Sequence, residues 1–552
     1  MSLASKPACR RMWMFPRNIR RIEPWKIAQF ATLLDAAEGR AGTQKLQDDL
    51  YEQLELLGVK RPKADDGSGV EKPGGLRTYL AQLACLGLFC VDKEKCYVPT
   101  HAGELVIQGR NPVGVLRCQL LRLQYPSVYG WGRNVLISPE MRVKPFAFLV
   151  RILEDPRLGG ELSRSEAAVC VVYGRTRGDF EKCVGKILEL RRNKSESIRP
   201  VVDSLTDICT PRRWDLDDDE LWEKGITDAN QIANTALNYL YAVGLVEAEP
   251  VGGRLVYNLT TDQKALADIR RWMKEEAKIE DVPEDPDGWI HAQLRFGRFD
   301  KAKVMSIGSR PRTDGLAAIV RTAYISAAEA DPFGFDHGEF VKEKALYWHK
   351  SEAEIEACVT ELRGRTDDIA RSKLIYAAGS GGVEARLLEI GMTNIFRKLG
   401  FDLAQHLGQR KVPATAKRRG GYPDIYLRAS SEPESGMADT KATMKYGFPL
   451  SDTEKLGSYY HDAWKEIDPK SPCRFFLYIA GSFASSHQTI LQKLQGCSAD
   501  YGSPVSAVTV YALLDLAANA ARPPVGELMK VFGTSRFFNS DAQIIDAAAG
   551  LK

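Results

Sequence analysis

Three residues in GGYPDIYLRASSEPESGMADTKATMKYGFPL (420–450) could do chemistry together: Asp424 behind Pro423, and Asp439 and Lys441 in Asp-Thr-Lys. Alternate residues of a strand share a face, so Asp439 and Lys441 should project together, about 6.6 Å apart along the strand. Thr440 points the other way and leaves its main-chain carbonyl near that face. Asp424 opens the apolar run DIYL, and the polar, glycine-containing RASSEPESGM predicts a hairpin that brings the two carboxylates together at the strand ends. Asp424, Asp439, the Thr440 main-chain carbonyl and water form a donor set that Mg²⁺ accepts, since that ion keeps several of its waters. Mn²⁺ is the expected substitute. A cation held there polarises a phosphoryl oxygen, and Lys441 stabilises the negative charge that builds as water attacks. The expected chemistry is phosphodiester hydrolysis. Against it stands an exposed Asp439–Lys441 ion pair, worth under about 1 kcal/mol. Whether Lys441 also moves a proton stays open, because nearby cations lower its pKa and carboxylates raise it.

The elements that would position these residues can be read around them. VEARLLEIGMTNIFRKLGF predicts an amphipathic helix bearing Glu389, and DTEKLGSYYHDAWKEI predicts another after the motif. CRFFLYIAGSF reads as a buried strand, SSHQTILQKLQ as a helix, and VSAVTVYALLDLAANA as a strand running into a helix. The result is a C-terminal α/β domain with a central, mixed sheet over residues 379–552. Two basic clusters are candidate DNA-backbone contacts: Arg17, Arg20 and Arg21 near the start, and Lys417, Arg418 and Arg419 before the motif. Solvated faces are the alternative for both.

The 552 residues exceed one core, so several domains are expected. LRTYLAQLACLGLFCVDKEKCYVPTHAGELVI and ANTALNYLYAVGLVEAEPVGGRLVYNLTTDQKALADI each read as a helix, a glycine stop and two short strands. That order is the pattern of a winged helix-turn-helix. The reading is a multidomain chain: a mainly α-helical N-terminal half with winged-helix modules over 1–285, a helical connector over 286–378, and the α/β domain. In the connector, SEAEIEACVTELRGRTDDIARSKL reads as one helix, and AAGSGG (377–382) as a flexible break through which the last domain is released. The acidic WDLDDDELWEK reads as a solvated helix start, not a metal loop. Tyr125 and Trp131 read as core or domain-contact aromatics. Net charge is only +4, weak support for a nucleic-acid partner. Eleven cysteines without a CxxC pair suit reduced thiols better than zinc or disulfides. No apolar run is long enough to span a bilayer, so no membrane partner and a cytoplasmic, bacterial location are expected.

Residues 383–515 resemble the FokI cleavage-domain family, within the nucleases that carry a Pro-Asp…Asp/Glu-x-Lys signature, PD-(D/E)xK. The matching text is RLLEIGMTNIFRKLGF, HLGQRK, DTKA, FPLSD, FFLYIAGSF and VTVYALL, with an insert, VPATAKRRGGY, before Pro423. The resemblance implies that Asp424 and Asp439 ligate the metal, that Lys441 positions water, and that Glu389 orients the site or assists a second ion. PRNIRRIEPWKIAQFATLL, LLRLQYPSVYGWG and VKPFAFLVRIL are similar to recognition halves of the AlwI family. Together the resemblances imply a type IIS restriction endonuclease that binds a short asymmetric site in double-stranded DNA and cuts outside it. They also imply transient homodimerisation through residues 452–466 and a companion DNA methyltransferase. The alternatives are a strand-specific nicking enzyme and, less favoured, a DNA-binding regulator with an inactive nuclease domain.

Overall fold

The computed structural model describes residues 11–16, 22–37, 43–57, 76–130, 137–203, 217–251, 254–260, 262–283, 285–298, 312–382, 384–408, 422–443, 446–484 and 487–551. The chain divides into two compact units. The first comprises Met1–Glu247, Val256–Ser326 and Gly338–Arg363, and the second comprises Ala248–Leu255, Ala327–His337 and Gly364–Lys552.

The first unit is built largely of helices. Helix Leu76–Cys85 is followed by strands Phe89–Val91 and Tyr97–Pro99, paired antiparallel with Cys90 opposite Val98. Helix Asp218–Ala242 is followed by strands Val246–Val251 and Arg254–Leu259. Both helices stop at a glycine in the left-handed region, Gly87 (φ 70°) and Gly244 (φ 68°), a conformation that would strain most other residues. The acidic stretch near 217 is a helix start, with Asp217 and Glu220 forming a capping box. Tyr125 is buried, and its hydroxyl donates to the Met14 carbonyl at 2.5 Å, so it is a core residue. Trp131 lies outside the described residues. Among the described residues, no helix is long and apolar enough to cross a membrane.

The second unit is organised by alternation. Its elements are α1 (Thr366–Ala378), α2 (Glu384–Lys398), β1 (Gln405–His406), β2 (Ile425–Arg428), β3 (Ser435–Lys441), α3 (Leu450–Ser458), α4 (Trp464–Ile467), β4 (Cys473–Ala480), α5 (His487–Tyr501), β5 (Val505–Thr509), α6 (Val510–Ala518), α7 (Val525–Phe532), β6 (Phe537–Phe538) and α8 (Asp541–Ala549). The strands form one sheet in the order β6-β5-β4-β3-β2-β1. β1, β2 and β3 pair antiparallel, and β3 to β6 pair parallel, giving the expected mixed sheet. On one face Ile425, Leu427, Ala438, Phe475, Leu477 and Ile479 pack with α1, α2, α6, α7 and α8. On the other, Tyr426, Met437, Phe476 and Tyr478 pack with Leu456 of α3, Trp464 of α4 and Leu494 of α5. Successive residues of each strand thus enter opposite cores, which is what the period of two requires. Asp439 and Lys441 share the parity of Met437 and so belong to the α3 side.

Gly436 sets the spacing beneath β3. A Cβ built there would lie 2.4 Å from the Phe475 ring, so the ring fills the space a side chain would need.

Two expectations for the connector change. SEAEIEACVTELRGRTDDIARSKL is two helices, Glu352–Val359 and α1, not one. The Thr360 hydroxyl bonds back to the Glu356 carbonyl at 2.8 Å, and the chain turns through Arg363–Arg365 around Gly364. Residues 377–382 are a tight turn, not a loose break. Leu374, Ala377 and Ala378 of α1 are buried in the same core as α2, and Gly381 (φ 66°) and Gly382 (φ 59°) turn the chain between the helices. One break between the two compact units falls at Arg363/Gly364.

Candidate active site

The antiparallel register of β2 and β3 sets Ile425 opposite Ala438, and so Asp424 opposite Asp439. Asp424 sits just ahead of β2, and its Oδ2 accepts the Thr440 N–H at 2.7 Å and the Thr440 hydroxyl at 3.0 Å. Asp439 is only 4% exposed. Lys441 Nζ lies 2.7 Å from Asp439 Oδ2, but this is not the exposed surface pair of the competing reading, because both side chains are largely buried. The Thr440 N–H and hydroxyl both hold Asp424.

Burial holds the Asp424 carboxyl well above the ordinary carboxylate range, and Asp439 and Glu389 push it further up. Two carboxylates pressed together must share a proton or take a cation. For Lys441, burial works to lower the ammonium's pKa, but Asp439 and Asp452 outweigh it and hold it above its ordinary value. The two carboxylates thus favour the charged ammonium at Lys441. Glu389, on α2, lies 2.7 Å from His406 Nε2 of β1, so the pair flanks Asp424 from the helix side.

Two neighbours were not singled out from the sequence. Asp452, in the first turn of α3, places Oδ2 3.1 Å from Lys441 Nζ and Oδ1 2.9 Å from Lys455 Nζ. Tyr446 sets its ring 5.6 Å from the Lys441 ammonium, and its hydroxyl donates to Asp452 Oδ2 at 3.2 Å. In the sequence Asp452 closes the family-matching FPLSD and starts a helix after Pro449, and neither says which strand it faces.

Among the described residues, no group of three or more His, Cys, Asp or Glu side chains is arranged to hold a metal ion. The donor set is the facing pair Asp424 and Asp439, two hard oxygen ligands in mutual repulsion, and it fits an ion that retains most of its waters. A consequence can be measured. Asp424→Asn should raise the melting temperature of the metal-free protein by a few degrees, about 1 kcal/mol, because it removes a like charge that the fold raises in pKa. It should also abolish any magnesium-induced rise if Asp424 is the expected ligand. Thermal melts with and without magnesium read both effects, and a lower metal-free melting temperature would contradict the first.

All six basic candidates, Arg17, Arg20, Arg21, Lys417, Arg418 and Arg419, lie outside the described residues.

Residues 349–536 match the family model of the FokI cleavage domain. No curated protein sequence matches the chain. The structure of restriction endonuclease FokI aligns over 96% of this chain and 100% of that one, at 14% identity and a TM-score of 0.28. The matched region contains Glu389, Asp424, Asp439, Lys441 and Asp452. Over residues 349–536 the chain is therefore similar to the FokI cleavage domain.

Proposed function

We propose that this protein is a type IIS restriction endonuclease, in which the N-terminal half binds a short asymmetric DNA site and the C-terminal domain hydrolyses phosphodiester bonds outside it. The observation that carries the reading is the meeting of Asp424, Asp439 and Lys441 inside the region that matches the FokI cleavage domain. Asp424 and Asp439 would hold Mg²⁺, with Mn²⁺ as substitute. Such a cation, when bound, supplies positive charge to the scissile phosphate. Asp424 is held for that task by the Thr440 N–H and hydroxyl. Lys441, kept charged, stabilises the negative charge that develops on the attacking water and the phosphoryl oxygens. The Tyr446 ring beside the ammonium limits its access to water. Glu389, paired with His406, completes an acidic wall beside Asp424.

Recognition is assigned to the two helix-and-hairpin segments over 76–99 and 218–259, read as winged-helix modules, with base edges supplying sequence information and Lys and Arg supplying salt-dependent affinity. One such site cuts one strand, so a double-strand break needs a second nuclease domain, supplied by transient pairing through residues 452–466. A companion methyltransferase would protect the host's own sites.

The test is plasmid of known sequence incubated with the full chain and magnesium, followed by run-off sequencing of the ends. Linear product with ends at a constant offset from one short sequence is expected. Open circles at saturating enzyme would mean a nicking enzyme. Intact plasmid with magnesium and with manganese would sink the reading.

A further inference from the structure

Lys441 sits between two carboxylates, not one: Asp439 Oδ2 at 2.7 Å and Asp452 Oδ2 at 3.1 Å. The second is built into place with unusual care for a residue that begins a helix. The Tyr446 hydroxyl bonds its Oδ2, and Lys455, one turn on, bonds its Oδ1 at 2.9 Å. Its main-chain carbonyl accepts the Tyr478 hydroxyl of β4 at 3.1 Å. Asp452 also lies in the first turn of α3, where the helix N-terminus favours a carboxylate. Lys455 and Lys441 hold it below the ordinary carboxylate range although burial works the other way.

The arrangement matters because Asp439 is asked to do two things. Asp439 Oδ2 is the oxygen that bonds Lys441, yet the proposed function assigns this carboxylate to metal ligation. Once Asp439 is engaged as a ligand, its hold on Lys441 weakens, and a lysine side chain with no anion beside it would swing away from the site. We propose that Asp452 is the positioning residue for Lys441: it keeps the ammonium aimed at the site while Asp439 serves as a ligand. This rests on the metal-site reading above and adds a residue to it. Asp452 itself touches neither metal nor DNA in this scheme.

The test uses the full-length protein and reads the Lys441 amine directly. Amine dimethylation followed by mass spectrometry reports how protected Lys441 is, with no requirement for cleavage. Without metal, Asp452→Asn should label at Lys441 as slowly as wild type, because Asp439 still holds the ammonium. With saturating magnesium, the variant should label about tenfold faster than wild type, the weight of one charge-assisted hydrogen bond. Single-turnover cleavage should fall about a hundredfold, as expected for a misplaced group, with DNA affinity unchanged. Asp452→Glu, which keeps the charge on a longer arm, should restore protection and most of the rate, which a purely structural role would not require. Equal labelling and equal cleavage of Asp452→Asn and wild type, in a wild type that cuts plasmid, would overturn this proposal alone. A wild type that never cuts plasmid would bring down the metal-site reading and this proposal with it.

Discussion

Lys441→Ala should bind DNA as wild type does and cleave it about a hundred- to a thousandfold more slowly, the usual cost of losing one preorganised charge at a reacting centre. The loss should fall on the chemical step. Lys441 lies on the α3 side of β3 beside Asp439, too enclosed to contribute the broad phosphate contacts that set affinity. Its removal also leaves Asp439 and Asp452 without their shared cation, so part of the loss comes from disordered carboxylates. Lys441→Arg should not rescue, because the planar guanidinium cannot occupy the space of a compact ammonium between two acids. Asp439→Asn should lose at least as much activity, because it removes a proposed ligand. The measurement is single-turnover cleavage at saturating enzyme, alongside binding without divalent metal. A Lys441→Ala rate within about threefold of wild type would remove Lys441 from the chemistry.

The second large effect is on stability. Phe475→Ala should destabilise the second unit by about 3–5 kcal/mol, in the range for deleting a fully buried aromatic ring. Phe475 is 0% exposed, its ring centroid lies 5.7 Å from that of Phe532 and 6.4 Å from that of Phe401, and it fills the space over Gly436. Gly436 cannot close that gap, because it has no side chain to move, so the cavity stays open. The loss also reaches the site: β3 carries Gly436 at one end and Asp439 and Lys441 at the other, and its pairing with β4 shifts register between Ser435 and Gly436. Cleavage should therefore fail at a lower temperature in the variant. Urea unfolding followed in the full chain measures the cost, and a change under about 1 kcal/mol would mean that the ring is not the wedge that positions β3.

Much of the second unit was legible because its signals are local. The period of two in DTK and the apolar blocks CRFFLYIA and VSAVT predicted strands that the structure contains, and the hairpin between Asp424 and Asp439 is there. The helix over 351–374 was misread because periodicity continues across Thr360–Gly364, while the break depends on a threonine hydroxyl bonding backwards and on a glycine that lets the chain turn. The turn at 377–382 was misread for the converse reason. Its composition is that of a linker, and only the burial of Leu374, Ala377 and Ala378 before it and of Leu388 and Met392 after it, in one core, shows that it is packed.

From the residues alone came the identity and spacing of Asp424, Asp439 and Lys441, and the common face of the last two, since side-chain direction along a strand follows from backbone geometry. The tertiary structure decided what surrounds them. It buried the pair, set Glu389 and His406 beside Asp424, and brought Asp452 from the start of α3 to the far side of Lys441. Those meetings depend on how helices α2 and α3 pack against opposite faces of the sheet. Packing is a relation between distant segments, and no local pattern of residues encodes which two will touch.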